Sequence, residues 1–151
     1  MSGAVETFIL FTVAGTTYAL RSREVAHVEM IEQVTAVPNA AAFLDGVVFS
    51  RGEVVPALNL RARFGFERIP YGLGTRLLVV RAGARTVGLV VDTAREFVAI
   101  DPAAIQPPAS ALTTASGRYL EGVANIGGRL ILLLNLEEVL TFSDSVLGMH
   151  A

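Results

Sequence analysis

Apolar residues along this chain fall in short, strand-sized runs, and glycine-bearing turn signals sit between them. Phe8–Val13 and Tyr18–Leu20 flank Ala14-Gly15-Thr16-Thr17, the pattern of a β-hairpin. Arg76–Val80 and Thr86–Val91 flank Ala82-Gly83-Ala84 in the same way. A third hairpin is predicted from Gly46–Ser50 and Glu53–Leu60 around Arg51-Gly52, and a fourth from Gly122–Ile126 and Arg129–Leu136 around Gly127-Gly128. Pro56 stands inside the run Val54–Leu60. It has no N–H to give a ladder, so an edge or a bulge is expected there.

Helical signals are few and short. Ser22–Val28 is expected to form one or two turns. Pro38-Asn39 followed by Ala40–Leu44 reads as a proline-started turn that packs Phe43 and Leu44 inward. Asp101-Pro102-Ala103-Ala104 reads as a capped turn, with Asp101 at the cap. Leu136–Leu140 has apolar residues at i, i+3 and i+4, a short final helix.

The chain repeats itself. Gly46–Leu60 aligns without a gap with Gly122–Leu136, at an offset of 76 residues. Six of the fifteen positions are identical: Gly46/Gly122, Val47/Val123, Gly52/Gly128, Leu58/Leu134, Asn59/Asn135 and Leu60/Leu136. Two copies make two similar halves rather than a solenoid. The expected organisation is a first barrel over residues 8–70, a second over 75–142, a linker over 66–75 rich in glycine and proline, and a tail over 143–151. Each half alone is marginal in size for its own core. Packed together they share one, and the groove where they meet is the natural binding site. The expected class is all-β.

Composition narrows the chemistry. Hydrophobic residues make up 52% and charged residues 17% of the chain, too apolar for disorder. No apolar run approaches the ~20 residues of a membrane span, and residues 1–6 carry no basic residue of the kind that opens a secretory signal. The cytoplasm is the default compartment. There is no cysteine, so disulfides and thiolate chemistry are excluded. The twelve basic residues, all arginine, are scattered rather than gathered in a stripe, which argues against a nucleic-acid partner.

Candidate catalytic groups lack companions. His27 has no partner motif for general base or phosphoacceptor work, and His150 lies in the tail. Asp92 ends an apolar strand, but no nearby acidic pair accompanies it for Mg²⁺, so it reads as a turn or hydrogen-bonding residue. Tyr71–Gly74 is followed by no Lys and is not a phosphate loop. No zinc site is expected. The glycines Gly46, Gly52, Gly88, Gly122 and Gly128 read as backbone devices.

The repeat units carry a resemblance. Gly46–Arg61 resembles the signature of the CheW family: a glycine-valine strand, an Arg-Gly turn, a Val-Pro strand and a Leu-Arg end. Tyr18–Leu20, Val34–Asn39, Val87–Asp92, Ile105–Pro108, Tyr119–Val123 and Leu130–Leu136 extend it from about Phe8 to Phe142. The resemblance implies a single CheW-like domain over residues 1–151, built from two five-stranded Src-homology-3-like barrels with a few short helices. It implies a non-enzymatic scaffold without cofactor. One surface would bind the tip of a chemoreceptor and another the regulatory domain of a CheA-type histidine kinase, with other CheW-like proteins as further partners. Such an adaptor inserts in no membrane and works in the cytoplasm at membrane-associated receptor arrays.

By the same resemblance, Val25, Val28, Arg51, Ala94 and Phe97 are receptor-binding positions, and Gln106, Ser110 and Ala111 stand at kinase-binding ones. Three departures stand out. Phe49-Ser50 replaces the family's usual Asn-Leu before Arg-Gly. His27 stands where an acid is common. Gln106, Ser110 and Ala111 replace an arginine and an acid-aromatic pair, which opens an alternative: a specialised paralogue that serves as tuner, decoy or partner-specific adaptor in a motility or developmental pathway, with weakened kinase contact.

Overall fold

A computed structural model describes residues 5–108 and 117–142. Its strands are β1 (Glu6–Val13), β2 (Thr16–Arg21), β3 (Val25–Met30), β4 (Leu44–Ser50), β5 (Glu53–Asn59), β6 (Arg76–Ala82), β7 (Arg85–Val91), β8 (Thr93–Ile100), β9 (Ile105–Gln106), β10 (Leu120–Ile126) and β11 (Arg129–Leu134). Two one-turn α-helices, α1 (Leu60–Arg63) and α2 (Leu136–Val139), follow β5 and β11. All four predicted hairpins form, each through a two-residue turn: 14–15, 51–52, 83–84 and 127–128.

The strands form two sheets, a six-stranded one in the order β8-β1-β2-β11-β10-β9 and a five-stranded one in the order β3-β6-β7-β5-β4. This corrects the sequential division at 66–75. The opening hairpin of each half crosses to the other: β1–β2 joins β8 and β11, while β6–β7 joins β3 and β5. The two halves therefore exchange hairpins, and neither range, 8–70 or 75–142, is a barrel by itself. Packing supplies the reason. Phe8, Ile9, Leu10 and Phe11 are buried in succession, so β1 needs apolar cover on both faces.

Alternation along the crossing strands sorts the core into three clusters. Phe8 and Leu10 of β1 point into the six-stranded barrel beside Ala19, Ile131 and Leu133. Leu77 and Val79 of β6 point into the five-stranded one beside Val48 and Ala57. Ile9, Phe11, Leu78, Val80, Leu132 and Leu134 point from both sheets into a common central cluster. Arg63 of α1 closes one end of that cluster. Its guanidinium lies 4.7 Å from the ring centre of Phe43 and 5.3 Å from those of Tyr119 and Phe142, and it donates to the Val139 carbonyl at 2.9 Å.

The repeated residues do repeated work. Asn59 and Asn135 cap α1 and α2, accepting from Ala62 N at 3.1 Å and Glu138 N at 3.2 Å. Asp45 and Glu121 are the extra residues of matching β-bulges, and each holds an arginine, Arg68 and Arg21. Gly46 and Gly122 let a preceding segment cross close over the strand. A Cβ at Gly46 would stand 2.2 Å from Thr35 O, and one at Gly122 2.6 Å from Ile105 Cγ2.

Some local expectations change. No helix forms over 38–44. Asn39 takes a left-handed φ of 60°, which ends any helix started at Pro38, and Leu44 already begins β4. Ser22–Glu24 is a single 3₁₀ turn, and Val25–Met30 is strand β3. Asp101 caps its turn, accepting from Ala103 N at 2.8 Å. Pro56 lies on an interior strand, but parallel pairing with β7 begins only at Ala57, so its missing N–H leaves no ladder bond unmade there. The tail 143–151 lies outside the described residues.

Candidate partner-binding site

Two edge strands and one turn carry the five residues assigned to the receptor. β3 is an edge of the five-stranded sheet and β8 an edge of the six-stranded one. Residues three apart on a regular strand face opposite ways. Each edge strand escapes this through one bulge. In β3 the pairing shifts at Ala26, so Val25 lies opposite Val80 and Val28 opposite Leu78. In β8 it shifts at Arg95, so Ala94 lies opposite Phe11 and Phe97 opposite Ile9. Directly paired residues share a face, and Val80, Leu78, Phe11 and Ile9 all belong to the central cluster. Val25, Val28, Ala94 and Phe97 therefore all face the seam between the sheets. The first three pack half-buried against it, while Phe97 remains 62% exposed.

Arg51 sits on the β4–β5 turn with φ 47°, followed by Gly52 with φ 81°. Both central residues left-handed make the turn a type I′ hairpin, in which an arginine at the first position is unusual. The Arg51 side chain is exposed, and so are the cross-strand pair Phe49 and Val54 beside it. Ser50, the residue before the turn, is buried. Its hydroxyl donates to Glu29 Oε2 at 2.9 Å and meets His27 Nε2 at 3.1 Å, and that nitrogen lies 2.9 Å from Glu29 Oε2. These contacts join edge β3 to edge β4, and the Thr35–Val47 bridge links the segment that follows β3 to β4 as well. They also tether the Arg51 turn to the strand that bears Val25 and Val28. The mouth of a cleft of about 480 Å³ opens between the same two strands, lined by Met30, Phe49, Val48 and Leu77 with Glu29 and Glu32 at its side.

Serine, histidine and glutamate together do not make a nucleophile relay here. A relay needs the acid on the ring nitrogen opposite the serine. Glu29 and Ser50 meet the same nitrogen, and the serine proton is directed at the carboxylate. Among the described residues no group of three or more His, Asp or Glu side chains is placed to hold a metal ion.

The remaining assigned residues are distributed elsewhere. Gln106 is exposed on β9, at the far edge of the six-stranded sheet from β8, paired to Val123. Ser110 and Ala111 lie outside the described residues. Gly52 and Gly128 occupy hairpin turns with open space around them, and a Cβ at Gly88 would stand 2.6 Å from Leu77 Cδ1. Asp92 accepts from Arg61 and from Ala14 N rather than presenting a free carboxylate. The residues that sequence reasoning kept apart are His27 and Ser50. Both stand at departures from the family pattern, and that coincidence was the available signal of their contact.

The CheW-like domain model matches residues 7–143. The chain belongs to the CheW-like domain family. It is 29% identical to the chemotaxis protein CheW of Klebsiella aerogenes over 142 residues, covering 94% of this chain and 86% of that protein. It is 31% identical to protein FrzA of Myxococcus xanthus over 137 residues, covering 89% and 85%. Among solved structures, the scaffolding protein CheW of Thermoanaerobacter tengcongensis superposes with a TM-score of 0.84 at 25% identity, covering 93% of this chain and 95% of that one. This CheW-like domain thus shares both its two-sheet fold and nearly its whole length with a scaffold. Among its described residues, no helix is long and apolar enough to cross a membrane.

Proposed function

We propose that this protein is a non-enzymatic adaptor that couples the cytoplasmic tip of a chemoreceptor to the regulatory domain of a CheA-type histidine kinase. The family match and the shared scaffold fold support the coupling role. Its place of work is then the cytoplasmic side of membrane-associated receptor arrays. The receptor tip takes the seam between the sheets and the Arg51 turn. The kinase domain takes the surface around Gln106, and the resemblance assigns Ser110 and Ala111, outside the described residues, to the same partner. The observation that carries the receptor assignment is the pair of bulges, which turn Val25, Val28, Ala94 and Phe97 to one seam and leave an aromatic side chain exposed there. An exposed aromatic at the mouth of an apolar seam is the usual form of an interface anchor.

The chemistry is differential binding. Two packed barrels with a common core form a rigid block, and coupling follows from unequal affinity for two receptor states. Weak single contacts gain strength from array assembly. Titration calorimetry with a receptor-tip fragment tests the assignment: Phe97→Asp and Arg51→Ala should each weaken binding tenfold or more, on the order of 1.4 kcal/mol. Unchanged affinity in both variants would rule out the seam as the receptor site.

The second reading, a specialised paralogue with weakened kinase contact, draws on Gln106. This exposed glutamine supplies no charge where the family carries arginine. Normal receptor binding with no measurable kinase-domain binding would favour it.

A further inference from the structure

The Ser50–His27–Glu29 triangle lies one residue from Arg51, and its hydrogen bonds have a definite direction. The serine hydroxyl has one proton, and that proton goes to Glu29 Oε2 at 2.9 Å. The lone pairs of Ser50 Oγ therefore face His27 Nε2 at 3.1 Å. Nε2 is also 2.9 Å from the same carboxylate oxygen. Two acceptors converge on that nitrogen, so it must carry a proton. A neutral ring protonated only on Nδ1 would aim a lone pair at a carboxylate. A neutral ring protonated on Nε2 makes these contacts, and the imidazolium adds a charge pair with Glu29 to them.

The other charges around this site lie on neighbouring elements. Glu32 lines the same cleft as Glu29, and Glu53 pairs across the turn with Ser50 beside Arg51, whereas Asp45 on β4 is held by Arg68, Glu24 faces Arg21, and Arg76 at the start of β6 donates to the Leu73 and Thr75 carbonyls. Among the described residues, the ion pair that His27 makes is with Glu29. The triangle joins β3 to the end of β4, and among the described residues the nearest backbone pairing is the Thr35–Val47 bridge, which links the segment after β3 to β4 three residues from Ser50. The end of the hairpin that carries Arg51 is thus held to β3 by side chains and not by a ladder.

We infer that His27 and Ser50 are positioning residues for the Arg51 turn, so that the charge state of His27 sets how firmly the turn is held and makes partner binding through it pH-dependent. Histidine is the side chain that changes charge between pH 5 and 8. Protonation draws β3 and β4 together through Glu29 and pre-organises the turn, and a pre-organised loop binds with less ordering cost. This inference rests on the assignment of Arg51 to the receptor, and two readouts separate them.

The first readout is NMR of the free protein between pH 5.5 and 8.5. The Arg51 and Gly52 amides should titrate with the midpoint of the His27 ring, and should lose that titration in His27→Gln and in Ser50→Ala. The second is calorimetry with a receptor-tip fragment. The wild type should bind roughly two- to fivefold more tightly at pH 6 than at pH 8, the scale of one partly exposed ion pair, and His27→Gln should lose that difference. Flat Arg51 and Gly52 amides while His27 titrates would overturn the inference, as would an undiminished pH dependence of binding in His27→Gln. Titrating amides with no receptor-tip binding at either pH would uphold the coupling and sink the receptor assignment. Receptor binding with flat amides would do the reverse.

Discussion

The Arg61 guanidinium grips both carboxylate oxygens of Asp92, from Nε to Oδ1 at 2.9 Å and from Nη2 to Oδ2 at 2.7 Å. Asp92 is the residue at which the chain leaves β7 in one sheet for β8 in the other. Its Oδ2 also accepts from Ala14 N at 2.9 Å, on the β1–β2 turn. One carboxylate therefore joins α1, the crossover and the exchanged hairpin. The side chains are 19% and 21% exposed, so the pair is only partly screened. The Arg61 guanidinium is pushed up by its hydrogen bond to Asp92, against the opposing effect of burial.

Removing this hub should be costly. Asp92→Ala is expected to lower stability by about 1.5–3 kcal/mol, the range for hydrogen bonds to a charged group. Asp92→Asn keeps an acceptor for Ala14 N and should recover part of that loss. Urea denaturation of the three proteins checks the order. Equal stability of Asp92→Ala and wild type would contradict it.

The glycines predict a ranking. Gly46 has a φ of 149°, and a Cβ there would meet backbone atoms of Thr35 at 2.2 and 2.7 Å, whereas one at Gly88 would meet the side chain of Leu77. A side chain yields more easily than backbone. Gly88→Ala should cost about 1–3 kcal/mol, as overpacked core positions do, and Gly46→Ala should cost more. Thermal melts of both variants measure this, and a milder Gly46→Ala would show that segment 31–35 yields readily.

Glu24 should work against the fold at neutral pH. Its Oε1 is buried without a hydrogen-bond partner, and burial pushes its carboxyl up despite the nearby Arg21. A raised acid holds its proton longer in the folded state than in the unfolded one. Its contribution is therefore most favourable below the ordinary glutamate value of about 4.3 and is lost as pH rises through the folded-state value. Glu24→Gln should be more stable than wild type at pH 7, with the advantage shrinking toward pH 4. Denaturant titrations at both pH values test the sign.

The hairpins were legible because a two-residue turn with left-handed residues leaves a local mark, as in Arg51-Gly52 and Gly127-Gly128. The repeat was legible because bulge, turn and cap recur at one spacing. The exchange of hairpins was not, since burial of Phe8 through Phe11 on both faces shows that β1 is central but not which strands flank it. Nor was the gathering of Val25, Val28, Ala94 and Phe97 on one seam. A spacing of three contradicts a strand face until the bulges at Ala26 and Arg95 are known. His27 and Ser50 are 23 residues apart, and only closure of the barrel brings them together.

If the protein is an adaptor, one rigid block holds two partners at once. Size-exclusion chromatography with light scattering, on this protein mixed with a receptor-tip fragment and the kinase regulatory domain, tests that most directly. A single complex containing all three is expected, which Phe97→Asp reduces to a complex with the kinase domain alone. A protein that elutes by itself from both partners would contradict the adaptor role.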